Sequence, residues 1–460
     1  MCAAIESQWS AVHSGPLSGW GRYPVVNAKS VRPESWAAVD NFVKNAKSDA
    51  LIARGMGRSY GDAAINDNGY TVLLERFDRF LSFDDKTGEL NLESGVTLDE
   101  IINTFAHRGW FPAVVPGTKF VTVGGAIAAD IHGKNHHRDG SFCNFVKSFT
   151  VIIASGEKVD CSRDQNSDLF WATVGGMGLT GIICDVRLSL KPIESVYVHK
   201  TEIKAKNLHH VMSLFDEHEK NYQYSVAWID CLARGNDLGR SILMLGNNVH
   251  KNDERLKQLD NPLATRQKKQ IQVPIDSPDW LLNSFTMGTF NSLFYAKQMS
   301  DRHEGIADFE SYFFPLDAIG SWNRLYGKRG FIQHQTVFPE ETSQQALETL
   351  LTMSSEHGWG SFLAVLKRFG PQEGLLSFPK PGYTLTLDIA VRDGLFEFLR
   401  ELESVVLNYG GRIYLAKDAS LSQEAFQQMY PRFDEWQKIK SKYDPKNVFS
   451  SHLSQRLKIT

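Results

Sequence analysis

A glycine- and alanine-rich run in the first third of the chain limits most tightly what this sequence can fold around. It reads Pro116-Gly-Thr-Lys-Phe-Val-Thr-Val-Gly-Gly-Ala-Ile-Ala-Ala-Asp-Ile-His-Gly-Lys-Asn-His-His137. Gly124 and Gly125 carry no side chain, so another group can approach the backbone closely. The alanines that follow keep this surface narrow, as a flat ring system requires. Thr118 and Thr122 add hydroxyl groups beside it.

A second glycine-rich segment, Arg54-Gly-Met-Gly-Arg-Ser-Tyr-Gly-Asp62, follows a short apolar run. Its glycines allow successive backbone N–H groups to converge on an anion such as a pyrophosphate. Arg54 and Arg58 could add charge-assisted hydrogen bonds. The segment does not match the G-x-G-x-x-G pattern, so an ordinary Rossmann site is disfavoured. A third run at 173–183 is equally well explained, on its own, as a tight turn before a buried strand.

Composition excludes several classes of protein. A length of 460 residues predicts two or three domains, and a net charge of −3 gives no electrostatic reason to bind nucleic acid. The five scattered cysteines, among them Cys2, predict neither a disulfide framework nor a zinc site, and favour a reducing compartment. A zinc site built from His132, His136 and His137 is disfavoured by their spacing. No metal is therefore predicted.

The sequence also shows no pattern that predicts a targeting signal. The N-terminus has no basic start followed by an apolar run, and no apolar stretch is long enough for a transmembrane helix. We therefore expect a cytoplasmic protein, with peripheral membrane contact left open.

Hydrophobic periodicity predicts an α+β protein with three regions. Region 1–193 has strands at 50–53, 71–74, 90–92, 151–154 and 181–190, and helices at 35–46 and 98–108. Region 194–412 has strands at 224–231, 241–245, 332–338, 362–369 and 383–391, and helices at 208–221, 343–356 and 394–409. This second pattern predicts an antiparallel sheet with helices on one face. Region 413–460 is expected to return to the first region.

The stretch from 251 to 295 differs from its surroundings. Residues 251–269 contain six Lys or Arg residues against three acids, and 280–295 are rich in Leu, Phe, Met and Trp. One interpretation is a surface loop followed by a packed helix. The other is a lid over an amphipathic substrate, with basic residues facing a phosphate and apolar residues facing a lipid tail.

Taken together, these runs resemble the vanillyl-alcohol-oxidase (PCMH-type) family of FAD-binding proteins, and within it the decaprenylphosphoryl-β-D-ribose 2-oxidases. The resemblance extends from about Trp20 to the C-terminus and is weakest between 251 and 305. The motifs that carry it are residues 54–62, 123–137, 170–183, 376–379 (L-S-F-P), 410–418 (G-G-R-I-Y-L-A-K-D) and 429–436 (M-Y-P-R-F-D-E-W). It implies a two-subdomain FAD-binding domain at 1–193, a substrate domain at 194–412 with a large antiparallel sheet flanked by helices, and a returning segment at 413–460.

The resemblance also implies a cofactor and its contacts. Relatives that bind FAD covalently do so through a histidine in a G-x-G-H-S context, where this chain has Gly57-Arg58-Ser59. Non-covalent FAD is therefore expected. The implied cofactor-binding residues are Arg54, Gly55, Met56, Gly57, Arg58, Ser59, Tyr60, Gly117, Thr118, Thr122, Val123, Gly124, Gly125, Ala129, Ile131, His132, Gly133, Asn135, Gly178, Gly181, Ile183 and Tyr414.

The implied reaction moves a hydride from the ribose 2-hydroxyl carbon of a polyprenylphosphoryl ribose to flavin N5, so the hydroxyl proton must also leave. The resemblance suggests Lys417 for polarisation, with His132 and Tyr60 for positioning. Alternative roles are a structural hydrogen bond for His132 and a surface ion pair with Asp418 for Lys417. The implied substrate-binding residues are Trp228, Gln333, Gln335, Lys367, Thr386 and Lys417. Gln333 and Gln335 alternate onto one strand face, which is alternatively a merely exposed face.

Two departures bear on the substrate. Thr386 and Ala129 stand where mycobacterial members carry cysteines, which suggests a relative outside that group.

The implied product is a 2-keto sugar on the way to an arabinose donor for cell-wall synthesis, which requires a separate NAD(P)H-dependent keto-reductase as partner. The alternatives are a soluble sugar, alditol or aldonolactone oxidase of the same flavin fold, and a non-catalytic flavin-binding protein.

Overall fold

The computed structural model of the chain describes residues 12–46, 50–259, 261–265, 269–278 and 280–460. Cys2 and the residues at 260 and 266–268 of the basic stretch lie outside the described residues. The mixed helices and strands confirm the predicted α+β class.

Two sheets form the first region. The first has the strand order β1-β2-β4-β3, and the second has the order β5-β6-β10-β8-β9 with β7 paired to β10. The elements are β1 His13–Ser18, β2 Val25–Val31, α1 Trp36–Asn45, β3 Ala50–Arg54, β4 Gly69–Leu73, β5 Phe80–Asp84, β6 Glu89–Glu93, α2 Leu98–Phe105, β7 Trp110–Pro112, α3 Val123–Ala128, α4 His136–Asp139, β8 Val146–Ile152, β9 Lys158–Ser162, α5 Ser167–Thr173 and β10 Ile182–Pro192.

Local chemistry explains where these helices begin. Thr97 and Glu100 form a capping box at the start of α2, which satisfies two backbone donors reciprocally. Thr122 accepts a hydrogen bond from the N–H of Gly125 at 3.2 Å and so starts α3 inside the glycine-rich run. The run is thereby held as a short helix whose first turn is bare backbone.

One eight-stranded antiparallel sheet dominates the second region, with the order β15-β11-β13-β12-β18-β19-β17-β20. Strands β14 and β16 pair with each other in a separate two-stranded parallel sheet. The elements of this region are β11 Tyr197–Ala205, α6 Leu208–His218, β12 Tyr224–Ile229, β13 Ser241–Asn248, β14 Ile271–Gln272, α7 Ser284–Lys297, β15 Arg302–Asp308, α8 Phe309–Phe313, β16 Ile319–Gly320, β17 Phe331–Pro339, α9 Glu340–His357, β18 Val365–Phe369, β19 Gly382–Ala390, α10 Leu395–Asn408 and β20 Arg412–Ile413.

Alternation along the strands gives this sheet two different faces. Leu385, Leu387 and Ile389 of β19 point to the side where α6, α9 and α10 pack, in the largest apolar core of the described residues. The intervening residues of the same strand point to the opposite side, where the cavity lies. This confirms the predicted antiparallel sheet with helices on one face.

Several predicted strand limits were wrong by two or more residues; the strand expected at 224–231, for example, ends at Ile229. The strand expected at 151–154 ends at Ile152, because the chain turns there: the N–H of Gly156 bonds to the carbonyl of Ile153 at 2.8 Å. The strand expected at 362–369 begins only at Val365. The carbonyl of Phe362 accepts instead from the indole of Trp228 at 3.2 Å.

The C-terminal residues form α11 Gln423–Met429, which contacts α10, α12 Phe433–Tyr443, which contacts α5, and α13 His452–Arg456, and residues 448–450 pair with β3 of the first sheet. The N–H of Leu51 bonds to the carbonyl of Val448 at 2.7 Å, and that of Ser450 bonds back to Leu51 at 2.9 Å. These contacts support domain limits near 193 and 412, which we retain as a proposal. Within the described ranges, none of the helices has the length and apolar character to cross a membrane.

Candidate active site

A cavity of about 640 Å³ lies between the first region and the eight-stranded sheet. All but three of the predicted cofactor- and substrate-binding residues line it. The exceptions are Arg54, Val123 and Asn135. Residues distant in sequence, from Trp20 to Lys417, therefore meet at one place.

The two glycine-rich segments form one wall and touch each other. A Cβ atom on Gly55 would lie 2.2 Å from Oγ1 of Thr122, and one on Gly124 would lie 2.9 Å from Cβ of Ser94. Gly57 has a φ of 62°, a backbone conformation that favours glycine. The wall therefore consists of exposed backbone, and side chains at these positions would occupy the space beside it.

Arg54 and Arg58 differ in what they do. The Arg54 guanidinium donates to the carbonyls of Ser18 at 2.8 Å and Ala64 at 3.2 Å, and burial lowers its pKa to about 10. It braces the loop from behind, where it does not line the cavity. Arg58 lines the cavity, and its guanidinium lies 4.1 Å from the centre of the Trp20 ring.

These features fit FAD. The wall offers backbone donors, a flat glycine surface and a guanidinium, the donor set that a pyrophosphate and a planar ring require. A Cβ on Gly117 would meet no atom within 4 Å, so this lining position also leaves open space. The buried hydroxyl of Ser94 lines the cavity and has no hydrogen-bond partner among the described residues.

The opposite wall is the inner face of the sheet. From β17 inward, the lining residues are Gln333 and Gln335, then Thr386 and Asp388 of β19, Val365 and Lys367 of β18, Val226 and Trp228 of β12, and Met244 of β13. The polar side chains are therefore gathered at the β17–β19 end. The apolar ones follow over β12 and β13, and beyond them Lys200 and Glu202 of β11 line the cavity as an ion pair at 3.0 Å.

His132 is held by Gln335 at the polar end. The amide Nε2 of Gln335 lies 3.0 Å from Nε2 of His132 and also donates to Oγ1 of Thr384 at 3.2 Å. Since an amide nitrogen donates, Nε2 of the imidazole accepts and the ring proton lies on Nδ1. Burial, reinforced by Lys367, lowers the pKa of His132 well below its usual value, so the ring is neutral at pH 7.

Lys417 lies beside Tyr60 and Asp388. Its Nζ atom is 3.9 Å from the centre of the Tyr60 ring. Burial lowers the pKa of Lys417 to about 7, although Asp388 opposes the shift. Burial raises the pKa of Asp388 to about 7, although a hydrogen bond from Gln333 Nε2 at 2.6 Å opposes it. Amine and ammonium forms of Lys417 therefore coexist near neutral pH.

The alternative of an ion pair between Lys417 and Asp418 is not what the structure shows. Asp418 accepts instead from Arg456 at 2.8 Å. Asp388, by contrast, was missed by the sequence reasoning. Because it follows Thr386 by two residues on one strand, the alternation of β19 was the signal that places both on the cavity face.

The three clustered histidines serve separate contacts. Nε2 of His136 lies 3.3 Å from Oγ of Ser141, and Nε2 of His137 lies 3.2 Å from the carbonyl of Tyr222. In the part of the chain that the structure describes, no three His, Cys, Asp or Glu side chains are grouped to hold a metal ion.

The stretch from 251 to 295 divides into two parts. Arg255 pairs with Asp253 at 2.7 Å and Lys257 with Glu254 at 2.6 Å, so these basic residues are neutralised by acids of the same segment. Helix α7 reaches the cavity: Phe294 lines it, with its ring centre 4.7 Å from that of Trp228. The basic part thus resembles the surface loop of the first interpretation, and the helix covers the apolar end of the cavity.

Comparisons with known proteins agree with this geometry. Residues 28–162 match the FAD binding domain family, and residues 388–457 match the D-arabinono-1,4-lactone oxidase family. The chain is 37% identical over 449 residues to decaprenylphosphoryl-β-D-ribose oxidase of Mycolicibacterium smegmatis, covering 96% of this chain and 97% of that protein. It is 30% identical over 374 residues to an uncharacterized protein of Streptomyces coelicolor, covering 79% and 100%. It is 22% identical over 413 residues to L-gulonolactone oxidase of Mus musculus, covering 86% of each.

Proposed function

This chain belongs to the family of decaprenylphosphoryl-β-D-ribose oxidases, and on that premise we propose that it oxidises the ribose 2-hydroxyl of a polyprenylphosphoryl-β-D-ribose to the 2-keto sugar. It is an FAD-dependent oxidoreductase. FAD, when bound, would supply the two-electron acceptor for the hydride that leaves carbon 2.

The layout of the sheet wall carries this proposal. Gln333, Gln335 and Asp388 offer hydrogen bonds to a sugar at one end, and Trp228 with Phe294 offers apolar contact further along the same cavity. A substrate with a polar head and a hydrophobic tail matches this order. A small soluble sugar uses only the first part.

The glycine wall is where the cofactor would be held. Backbone groups at 55–59 and 117–125 would bind it, and Arg58 would add charge without forming a covalent link. The Tyr414 hydroxyl donates to the carbonyl of Ala129 at 2.7 Å, which joins the C-terminal segment to this wall. Arg54 contributes by bracing the loop.

Lys417 is the proposed acceptor of the hydroxyl proton. Its pKa of about 7 leaves an amine at Nζ that can take this proton as carbon 2 is oxidised. Lys417 then remains as an ammonium ion beside Asp388, and its charge polarises the reacting end of the cavity. Lys417 would thus also have the polarising role that the resemblance suggests, because the proton it accepts leaves it positively charged.

His132 and Tyr60 are proposed to orient the sugar. Gln335 fixes the His132 ring, and Nδ1 of that ring makes no hydrogen bond to another side chain in the described ranges. This N–H is therefore available to a ligand oxygen. Tyr60 keeps its proton, because burial and Asp388 hold its pKa well above the usual value.

Peripheral membrane contact is proposed for the outer side of α7 and the residues before it. Trp280, Phe285 and Leu293 are 71%, 80% and 67% exposed, whereas Phe294 of the same helix lines the cavity. A prenyl chain leaving the cavity here would meet an apolar surface. Sedimentation with phosphatidylcholine–phosphatidylglycerol vesicles should fall in a Trp280→Ser/Phe285→Ser/Leu293→Ser variant and persist in a Leu81→Ser control, since Leu81 is exposed elsewhere. Equal sedimentation of both variants would contradict this contact.

Completion of a 2-epimerisation requires a second enzyme. The 2-keto sugar must be reduced from the opposite face to yield the arabinose configuration, and we propose a separate NAD(P)H-dependent keto-reductase for that step. Arabinose-configured product should form only when both enzymes and NAD(P)H are present.

Anaerobic mixing tests the substrate directly. A polyprenylphosphoryl ribose should bleach the visible flavin band of the purified protein, and free alditols or aldonolactones should leave it unchanged. The reverse outcome would favour a soluble sugar or lactone oxidase, the alternative that the match at 388–457 supports. Failure of every substrate to bleach the band would favour a non-catalytic flavin protein.

A further inference from the structure

Two buried lysines in the cavity have no carboxylate to neutralise them. Lys134 and Lys367 both line the cavity, and neither is within ion-pair distance of an acid among the described residues. Lys134 Nζ donates to the carbonyl of Tyr312 and lies 4.4 Å over the ring of that tyrosine. Lys367 makes no hydrogen bond to another described residue. Buried ammonium groups are normally paired, so this pair points to an anionic ligand.

The two lysines approach from opposite walls. Lys134 follows the glycine wall, and its carbonyl accepts from the N–H of Ser225 at 2.8 Å, which fixes it next to β12. Lys367 lies on β18 and pairs in register with Thr384 of β19. Burial lowers the pKa of Lys134 to about 7, with Lys367 adding to the shift, and burial alone lowers the pKa of Lys367 to about 8. One bound negative charge would relieve both effects.

The position of Lys367 in the sheet matches the order of groups in the substrate. Strand β19 carries Thr386 and Asp388, β18 carries Lys367, and β12 carries Trp228, with neighbouring strands about 4.8 Å apart. In a polyprenylphosphoryl ribose, carbon 1 and one oxygen separate carbon 2 from phosphorus, and the prenyl chain follows. In register, Val365 pairs with both Thr386 and Trp228, and Lys367 lies two residues further along β18, where it pairs with Thr384. A phosphate at Lys367 would thus lie beside the row that joins Thr386 to Trp228, on the strand between the polar and the apolar residues.

We propose that Lys134 and Lys367 form a phosphate-binding subsite that holds the phosphodiester between the sugar and the prenyl chain. This assignment rests on the proposed function, because it names the part of that substrate recognised here. It also makes Lys134, absent from the residues that the sequence pattern singled out, a determinant of specificity. A neutral prenyl or alkyl riboside lacks the group that these two residues bind.

Calorimetric titration of the FAD-loaded protein with farnesyl phosphate and with farnesol tests the subsite without requiring turnover. Farnesyl phosphate should bind the wild type more tightly than farnesol does. Lys134→Gln and Lys367→Gln should each raise its Kd roughly 10- to 100-fold and leave farnesol binding unchanged. Lys367→Arg should retain most of the affinity. Lys191→Gln is the matched control, since Lys191 is buried outside the cavity lining and touches Tyr224.

The outcomes separate this inference from the proposed function. Equal affinity for the two ligands, or unchanged farnesyl phosphate binding in both Gln variants, would overturn the subsite. An equal loss in Lys191→Gln would overturn it too, because the effect would then come from general destabilisation. Lysine-dependent phosphate binding without flavin bleaching by polyprenylphosphoryl ribose would leave the subsite standing and remove only the sugar claim.

Discussion

The Nζ atom of Lys417 lies 3.9 Å from the centre of the Tyr60 ring, joining the C-terminal segment to the first glycine-rich loop. The backbones meet there as well: the N–H of Tyr60 bonds to the carbonyl of Ala416 at 3.0 Å. The proposed proton acceptor is therefore positioned by the same loop that forms the cofactor wall. Changes that displace the backbone at this contact should affect both flavin binding and catalysis.

Replacing Lys417 should slow flavin reduction without releasing the bound flavin. Lys417→Met keeps the length of the side chain but removes the amine, so flavin reduction by substrate should slow about a hundred- to ten-thousand-fold. Anaerobic stopped-flow absorbance measures this rate constant. Lys446→Met, an exposed change in the same C-terminal segment, should match the wild type. A Lys417→Met protein reduced at the wild-type rate would remove Lys417 from the mechanism.

The wild-type reduction rate should depend on pH through this same group. Because Nζ accepts a proton only as the amine, the rate constant should rise as pH passes through about 7 and then level off. The rise should be absent in Lys417→Met. A rate that falls through this range would instead indicate that Lys417 acts as a preformed cation.

The glycine at position 61 should tolerate no side chain. A Cβ there would lie 1.7 Å from the carbonyl oxygen of Asp418, a backbone atom that cannot move aside cheaply. Gly61→Ala should cost about 1–3 kcal/mol of stability and lower the bound flavin. Thermal unfolding and the flavin-to-protein absorbance ratio measure both effects. Gly305→Ala is the control, because Gly305 is outside the cavity lining and its Cβ would come no closer than 3.8 Å to another atom, Nε2 of His303.

A buried ion network should hold the C-terminal helix to the loop. Asp62 accepts from Arg456 at 2.9 and 3.0 Å and lies 2.9 Å from Nδ1 of His452. Burial favours its neutral form, but the hydrogen bonds from His452 and Arg456 outweigh burial and hold its pKa below 3.8. Asp62→Asn should therefore lower the free energy of unfolding by about 3 kcal/mol. This is the low end for a broken buried ion pair, because Arg456 still pairs with Asp418 in the variant.

The sign of the acid dependence follows from that depressed pKa. The contribution of Asp62 is complete above 3.8 and is lost as pH falls through the lower folded value. The difference in stability between wild type and Asp62→Asn should thus shrink in acid. A constant difference down to that range, measured by thermal unfolding, would show that the carboxylate charge does not stabilise this contact.

The flavin should be released without breaking a covalent bond. Arg58 occupies the loop position where relatives with covalent FAD carry histidine, and its guanidinium stacks on Trp20. Acid precipitation should leave a yellow supernatant and a colourless pellet. Flavin retained in the pellet would contradict non-covalent binding.

Sequence reasoning was most informative where a role depends on local pattern. The glycines of the two runs and the alternation of Gln333 and Gln335 indicated parts of two cavity walls, because bare backbone and strand periodicity are local properties. The bracing of the loop by Arg54 could not be predicted, since its partners Ser18 and Ala64 are defined only by folding.

The site features that could not be predicted from the sequence depend on contacts between residues distant in the chain. Lys134 lies within the glycine-rich run and Asp388 on a predicted strand, but the importance of each comes from neighbours that the fold brings to it. The paired pKa shifts of Lys417 and Asp388 depend on burial, which a sequence does not reveal. The loss of the strand pattern at 362–364 likewise depends on a hydrogen bond from the distant Trp228.

Isotopic substitution at the ribose tests the central claim most directly. Flavin reduction by polyprenylphosphoryl ribose should slow when deuterium replaces hydrogen on carbon 2, because that C–H bond breaks in the step observed. Deuterium on carbon 3 should leave the rate constant unchanged. A slowing with deuterium on carbon 3 instead, or with neither label while another sugar shows one, would contradict oxidation at the 2-position of a lipid-linked ribose.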